Sequence, residues 1–169
     1  MSDDTKREWD PGERYAEILE WPEPPPEIPG IWNFLGWKRV DIEPGRQTLS
    51  WEPNENHAFP AGEGYIVHGG MVTAFLDTAM GGATWTLLNS NEVFLTGDLR
   101  TEFYRPTFPG AVTAKGWVVH KTRRVTFAAA EMFDAQGKLL ASGRATNLTI
   151  DLTSPQDMPR QTPPAPDRG

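Results

Sequence analysis

The chain of 169 residues contains no cysteine. Disulfides, thiolate metal sites and cysteine nucleophiles are therefore excluded. Histidine is scarce: His57, His68 and His120 complete the set, and their spacing suits no metal site, which argues against zinc chemistry. No stretch approaches the roughly 20 consecutive apolar residues that a membrane span requires. The acidic, polar start carries no apolar run of the signal-peptide kind. A soluble, cytoplasmic protein is the expectation. A basic face is missing as well, which speaks against nucleic acid as a partner. The formal net charge is −7, and it is unevenly placed, with nine acidic and three basic residues in positions 1–30. The acidity belongs to an arm, and the body is close to neutral.

Proline marks the edges of the expected domain. Of 16 prolines, six lie in residues 1–30 and five in residues 153–169. Three regions follow: an acidic, proline-rich arm over 1–30, a folded domain over 31–152, and a tail over 153–169 too poor in apolar residues to bury a core. The arm holds one short helix candidate, Glu13 to Trp21, with Tyr15, Ile18 and Leu19 as a narrow apolar stripe. Pro22 and the Pro24-Pro25-Pro26 run stop it and favour extended backbone.

Inside the domain, Trp37 to Ile42 and Gln47 to Trp51 read as a strand pair joined at Glu43-Pro44-Gly45. Pro53 to Gly64 reads as a loop. Gly69 to Leu88 carries apolar residues on every side, the pattern of a helix buried all round. Gly81 and Gly82 within it permit close packing against a sheet. Four strands follow, Val93 to Tyr104, Ala111 to His120, Arg124 to Phe133 and Leu139 to Ile150. Asp134-Ala135-Gln136-Gly137 reads as a hairpin turn with glycine in the left-handed position. The order predicts an α+β fold, one long central helix wrapped by an antiparallel sheet.

Asp77 is the most informative residue. It lies within the apolar helix between Phe75-Leu76 and Ala79-Met80, where an unpaired carboxylate is costly. It is either a buried carboxylate bonded to a strand hydroxyl or backbone group, or a group kept for chemistry. His68-Gly69-Gly70 opens the same helix. The first turn of a helix offers unpaired N–H groups and a positive dipole end, and glycine lets a ligand approach them. Such an N–H can stabilise an oxyanion. Gly69 and Asp77 are eight residues apart, about 12 Å along a helix axis. One rigid helix cannot offer both to the same carbonyl, whereas a site assembled from two chains can.

The run Val67-His68-Gly69-Gly70-Met71-Val72-Thr73-Ala74-Phe75-Leu76-Asp77-Thr78-Ala79-Met80-Gly81 resembles that of phenylacetate-pathway (PaaI-type) hotdog acyl-CoA thioesterases. The resemblance continues through Gly97-Asp98-Leu99-Arg100-Thr101-Glu102-Phe103-Tyr104-Arg105-Pro106 to Asp134-Ala135-Gln136-Gly137-Lys138-Leu139, and covers roughly residues 31–152. It implies a hotdog fold and hydrolysis of a small or medium acyl-CoA, aromatic or aliphatic. Asp77 takes the place of the family's nucleophile or general base, and Gly69 that of the N–H donor to the thioester carbonyl. Thr96, two residues before Asp98, matches the hydroxyl that positions water. A site shared in a homodimer or dimer of dimers is implied, with no metal or redox cofactor and with coenzyme A entering as part of the substrate. The chain departs from the family at Gly62, where asparagine or glutamine is usual. It also departs at His120-Lys121-Thr122-Arg123-Arg124, where glycine usually follows the lysine.

His68 has two readings, a contact to the substrate carbonyl or a structural role at the helix start. Gly70 is the second glycine that lets the substrate approach. Lys121, Arg123 and Arg124 form the densest basic cluster and suit the phosphates of coenzyme A, or are a solvated turn. Trp85, two turns beyond Asp77, is a candidate for lining an acyl pocket. Two further functions stay open, a non-catalytic acyl-CoA binding or sensing protein and a hotdog hydratase or dehydratase.

Overall fold

The computed structural model describes residues 8–20 and 31–154. The expected extended proline segment lies outside the described residues, as does the tail expected over 153–169 apart from Thr153 and Ser154, which bond Asp151. Two short helices, α1 (Glu13–Glu20) and α2 (Ile31–Leu35), precede β1 (Lys38–Glu43) and β2 (Arg46–Trp51). A single 3₁₀ turn (Glu55–His57) leads to β3 (Ala58–Ala61) and β4 (Gly64–Val67), and α3 (Gly69–Trp85) follows. Four longer strands close the chain: β5 (Glu92–Phe103), β6 (Val112–Lys121), β7 (Val125–Asp134) and β8 (Leu139–Asp151).

Six strands form one antiparallel sheet in the order β1-β2-β6-β7-β8-β5. The helix α3 lies across it, and the whole is the hotdog arrangement expected from the sequence. Alternation explains the strands: in β2 every second residue is buried, Gln47, Leu49 and Trp51, as period two demands of a sheet with one covered face. The turn at Gly137 has φ 77°, the left-handed conformation expected there. Trp37, Trp51 and Phe75 meet with ring centroids 5.4–6.5 Å apart and fill the core below the first half of α3.

Three expectations need correction. The segment 53–64 is not a plain loop: its second half pairs with Gly64–Val67 as a two-stranded hairpin, Ala58 opposite Val67 and Ala61 opposite Gly64. Pro60 hid the strand, since proline is tolerated only where no ladder N–H is needed. Nor is α3 buried all round. Val72, Phe75, Leu76, Ala79 and Met80 are buried, but Thr73, Ala74, Asp77 and Thr78 are part-exposed and Gly70 is exposed. The reason is lateral placement: among the described residues β5 is the edge strand, and no further strand covers the α3 face beside it. Finally, α3 stops at Trp85, because the Thr86 hydroxyl accepts from Gly45 N–H at 2.7 Å and donates to Ala83 O, turning the chain away.

The N-terminal segment docks where α3 ends. Gly12 N–H bonds Thr86 O at 2.9 Å and Arg14 N–H bonds Leu88 O at 3.0 Å, pairing carbonyls of the turn that follows the helix. Arg14 lies over the Trp85 ring, 4.9 Å from its centroid. In α1 only Ile18 is buried and Leu19 faces solvent, so the stripe is narrower than its sequence suggests.

The contact that sets the depth of α3 is at Gly116 of β6. A Cβ there would run into the backbone of Ala79 and Met80. Gly82, on the other side, faces the Gln47 side chain, and Gly81 faces the Phe94 ring. We expect Gly116→Ala to destabilise the fold by roughly 2–3 kcal/mol, since neither backbone can yield cheaply. Urea denaturation of the purified variant measures it, and an unchanged midpoint would show that α3 does not rest on that strand.

Candidate active site

Asp77 sits on the part-exposed face of α3, opposite β5. Its Oδ1 accepts a hydrogen bond of 3.2 Å from the Thr96 hydroxyl. Thr96 reaches inward because β5 is irregular at this point: Thr96 pairs with Asn147, but the next pair is Asp98 with Thr146, leaving Gly97 as the extra residue. Such a bulge re-aims the neighbouring side chain. Removal from water raises the Asp77 carboxyl above the usual aspartate range, and the Thr96 bond counteracts part of that rise.

A second cross-link lies beside the first. Asn147 is buried, and its Nδ2 donates to Thr84 Oγ1 at 2.7 Å. Thr84 is seven residues after Asp77, on the same side of the helix. Thus α3 is tied to β5 at Asp77 and to β8 at Thr84, and the two ties fix the carboxylate against the strand hydroxyl.

At the other end of the helix, His68 is the N-cap. Its Nδ1 accepts from Gly70 N–H at 3.0 Å, so a neutral His68 carries its proton on Nε2. The amide of Gly70 is thereby taken up. Gly69 N–H has no acceptor among the described residues, which makes it the available donor of the first turn. The Phe103 ring stands next to it, 3.3 Å from where a Gly69 Cβ would be.

The structure brings Asp77 and Thr96 together and leaves Gly69 two turns away on the same helix. Lys121 ends β6, and Arg123 and Arg124 occupy the turn that Thr122 closes through Val125. Lys121 pairs with Thr126, Thr126 with Asn147, and Asn147 with Thr96. The basic turn therefore ends the row of residues that contains Thr96, three strands or about 15 Å away. Gly62 lies in the exposed turn between β3 and β4. Asn54 does not replace the missing carboxamide, because its side chain is engaged in capping the 3₁₀ turn. Among the described residues no cluster of histidine and carboxylates could hold a metal ion.

Reading the sequence missed Phe103 beside Gly69 and the bulge at Gly97, whereas the structural role at the helix start, one of the two readings of His68, is the N-cap observed. Only the bulge left a signal, an isolated glycine within a strand pattern.

Residues 64–141 match the model of the Thioesterase superfamily. Over that span, somewhat less than half of the sequence, the chain is similar to that superfamily. A protein of Saccharolobus solfataricus named as a candidate esterase is 29% identical over 109 residues, 64% of this chain and 75% of its own length. Among solved structures, a phenylacetic acid degradation-related protein of Ralstonia eutropha JMP134, described as a candidate thioesterase, superposes with a TM-score of 0.70. It is 22% identical, and the match covers 80% of this chain and 98% of that one. The E. coli PaaI protein, from the phenylacetic acid degradation operon, gives a TM-score of 0.69 at 20% identity, covering 81% and 94%. These two likenesses establish the shared fold. No helix among the described residues is long and apolar enough to cross a membrane.

Because desolvation raises the Asp77 carboxyl and Thr96 lowers it, Thr96→Ala should move the acid limb of any Asp77-dependent rate to higher pH. The sign follows from losing a donor that favours the charged form. A pH–rate profile of the two proteins checks it, and coincident acid limbs would contradict it. Asp77→Asn should melt no lower than the parent at neutral pH, since it removes a partly desolvated charge and keeps an acceptor for Thr96.

Proposed function

We propose that the protein hydrolyses an acyl-CoA thioester in a site shared by two copies of the chain. The observation that carries this reading is the Asp77–Thr96 pair, a carboxylate with a raised pKa held against a hydroxyl on the open face of an apolar helix. A carboxylate tuned upward is a better general base near neutral pH. Water held by Thr96 loses a proton to Asp77 while its oxygen adds to the thioester carbon. The Gly69 N–H of the second copy receives the oxyanion. Collapse of that intermediate breaks the C–S bond, and the proton on Asp77 passes to the departing sulfur. Free acid and coenzyme A thiol are the products.

An open sheet edge supports the pairing of chains. Among the described residues, the 12-residue strand β5 pairs only with β8, so its other edge is open. A long unpaired edge invites another strand. A two-fold axis beside that edge would set two α3 helices antiparallel and bring Asp77 of each towards Gly69 of the other. Either a homodimer or a dimer of dimers meets the requirement. The basic turn at Lys121, Arg123 and Arg124, in the row of Thr96, is suited to the phosphates of coenzyme A. His68 acts by fixing the helix start, which leaves Gly69 as the donor.

The arrangement at Gly62 and Asn54 favours a second reading, an acyl-CoA binding protein without turnover, because the carboxamide common in the family has no counterpart there. Release of thiol from acyl-CoA separates the two. We expect Asp77→Asn to lower kcat by about 10²–10⁴-fold in a folded protein. Mixing Asp77→Asn chains with chains damaged at Gly69 should restore part of the activity, since one of the two sites in a mixed dimer carries neither change. Full activity of a strictly monomeric enzyme, shown by sedimentation at assay concentration, would rule out the shared site.

A further inference from the structure

The hairpin β3–β4 borders an open cavity of about 390 Å³ beside the end of β5 and the N-terminus of α3. Phe59 and Ile66 of the hairpin, Val67, Val72 and Phe103 form its apolar wall, and Gly69 lies in the same wall. The hairpin is held over the cavity by Val67 N–H, which bonds Thr107 O at 2.8 Å. The polar groups nearby are turned to other work. Tyr104 shares its hydroxyl with Glu102 and Ser142, and Arg105, the charged residue of the lining, bonds Leu139 O at 2.6 Å.

From this we infer that the cavity receives the acyl chain of the thioester and that the β3–β4 hairpin sets its length. The inference rests on the thioesterase reading and adds to it the substrate class, a medium-length aliphatic acyl group. The pantetheine arm of coenzyme A carries amides that need hydrogen-bond partners, and this lining has few to give; an alkyl chain needs none. Adjacency fixes the direction. The carbonyl that Gly69 N–H polarises stands at the cavity, so the chain attached to it enters there, in the copy that supplies Gly69. A cavity of 150 Å³ holds benzene. By that measure about 390 Å³ takes an acyl group on the order of ten carbons or somewhat more. Trp85, considered as a lining residue from its position after Asp77, is not in this cavity; it lies at the opposite end of α3, against Arg14 and Phe94.

The test is thiol release from butanoyl-, decanoyl- and hexadecanoyl-CoA by the full chain and two variants. Ile66→Trp fills the cavity from a part-exposed position, and Phe59→Ala, at a residue 47% exposed, opens its mouth. The parent should prefer decanoyl-CoA. Ile66→Trp should lower the decanoyl-to-butanoyl ratio of kcat/KM at least about tenfold, the effect of losing contact with two or so methylene groups. Phe59→Ala should raise the hexadecanoyl-to-decanoyl ratio. Variants that fold, hydrolyse acyl-CoA and keep the parent's length profile would overturn the inference while leaving the thioesterase reading intact. If the parent hydrolyses no acyl-CoA, that reading fails, and calorimetry then decides the cavity by itself. Decanoyl-CoA binding that Ile66→Trp weakens supports the acyl site, and equal binding by parent and variant overturns it.

Discussion

The backbone of α3 at Ala79 and Met80 rests on Gly116 of β6, with no side chain between them. That close approach is the constraint on which the remainder depends. It seats the helix deep enough for its apolar face to be closed by β2, β6, β7 and β8, and it brings the opposite shoulder of the helix to the height of β5. At that height Asp77 meets Thr96, and one turn beyond the buried Met80 the Thr84 hydroxyl meets Asn147. A helix held farther from the sheet would lose both polar ties and leave the carboxylate in water with an ordinary pKa.

The same seating creates a conflict between stability and chemistry. Packing alone would place an apolar residue at position 77, where the carboxylate is removed from water and made less acidic. A single hydroxyl at 3.2 Å offsets part of that cost. A carboxylate satisfied by several donors would be a poor base, and one left in water would be no more basic than an ordinary aspartate. An intermediate environment with one neutral donor on one side and an open face on the other is what a general base requires.

The open face is also where the fold is incomplete. The edge of β5, the exposed ring of Phe103 and the part-exposed residues Thr73, Ala74 and Thr78 lie along one side of the molecule. The free amide of Gly69 stands at one end of that side and Asp77 farther along it. A donor and a base fixed on one rigid helix cannot converge on a single carbonyl, so the proposed hydrolysis would have to draw them from two chains. The β3–β4 hairpin then has a place in the arrangement, since it builds a wall next to Gly69 and away from Asp77.

Much of this was legible before any coordinates. The turn signals that separate the strands, the apolar run from Gly69, and the left-handed glycine at 137 are local signals, and strands, helix and turn follow from them because backbone geometry acts over a few residues. Asp77 was legible too, since a carboxylate among Phe75, Leu76, Ala79 and Met80 conflicts with its neighbours in sequence. What the sequence could not decide depends on which elements lie side by side. That α3 is only half covered follows from β5 being the sheet's edge. That Gly70 N–H is occupied and Gly69 N–H is not follows from the rotamer of His68, and that Thr96 faces Asp77 follows from a bulge between two strands some 50 residues apart. The hairpin over Gly69 was hidden by Pro60, whose lack of an N–H matters only where a partner strand asks for one. Sequence fixes what each residue can donate, accept or bury; only the packed chain determines which partner each of them meets.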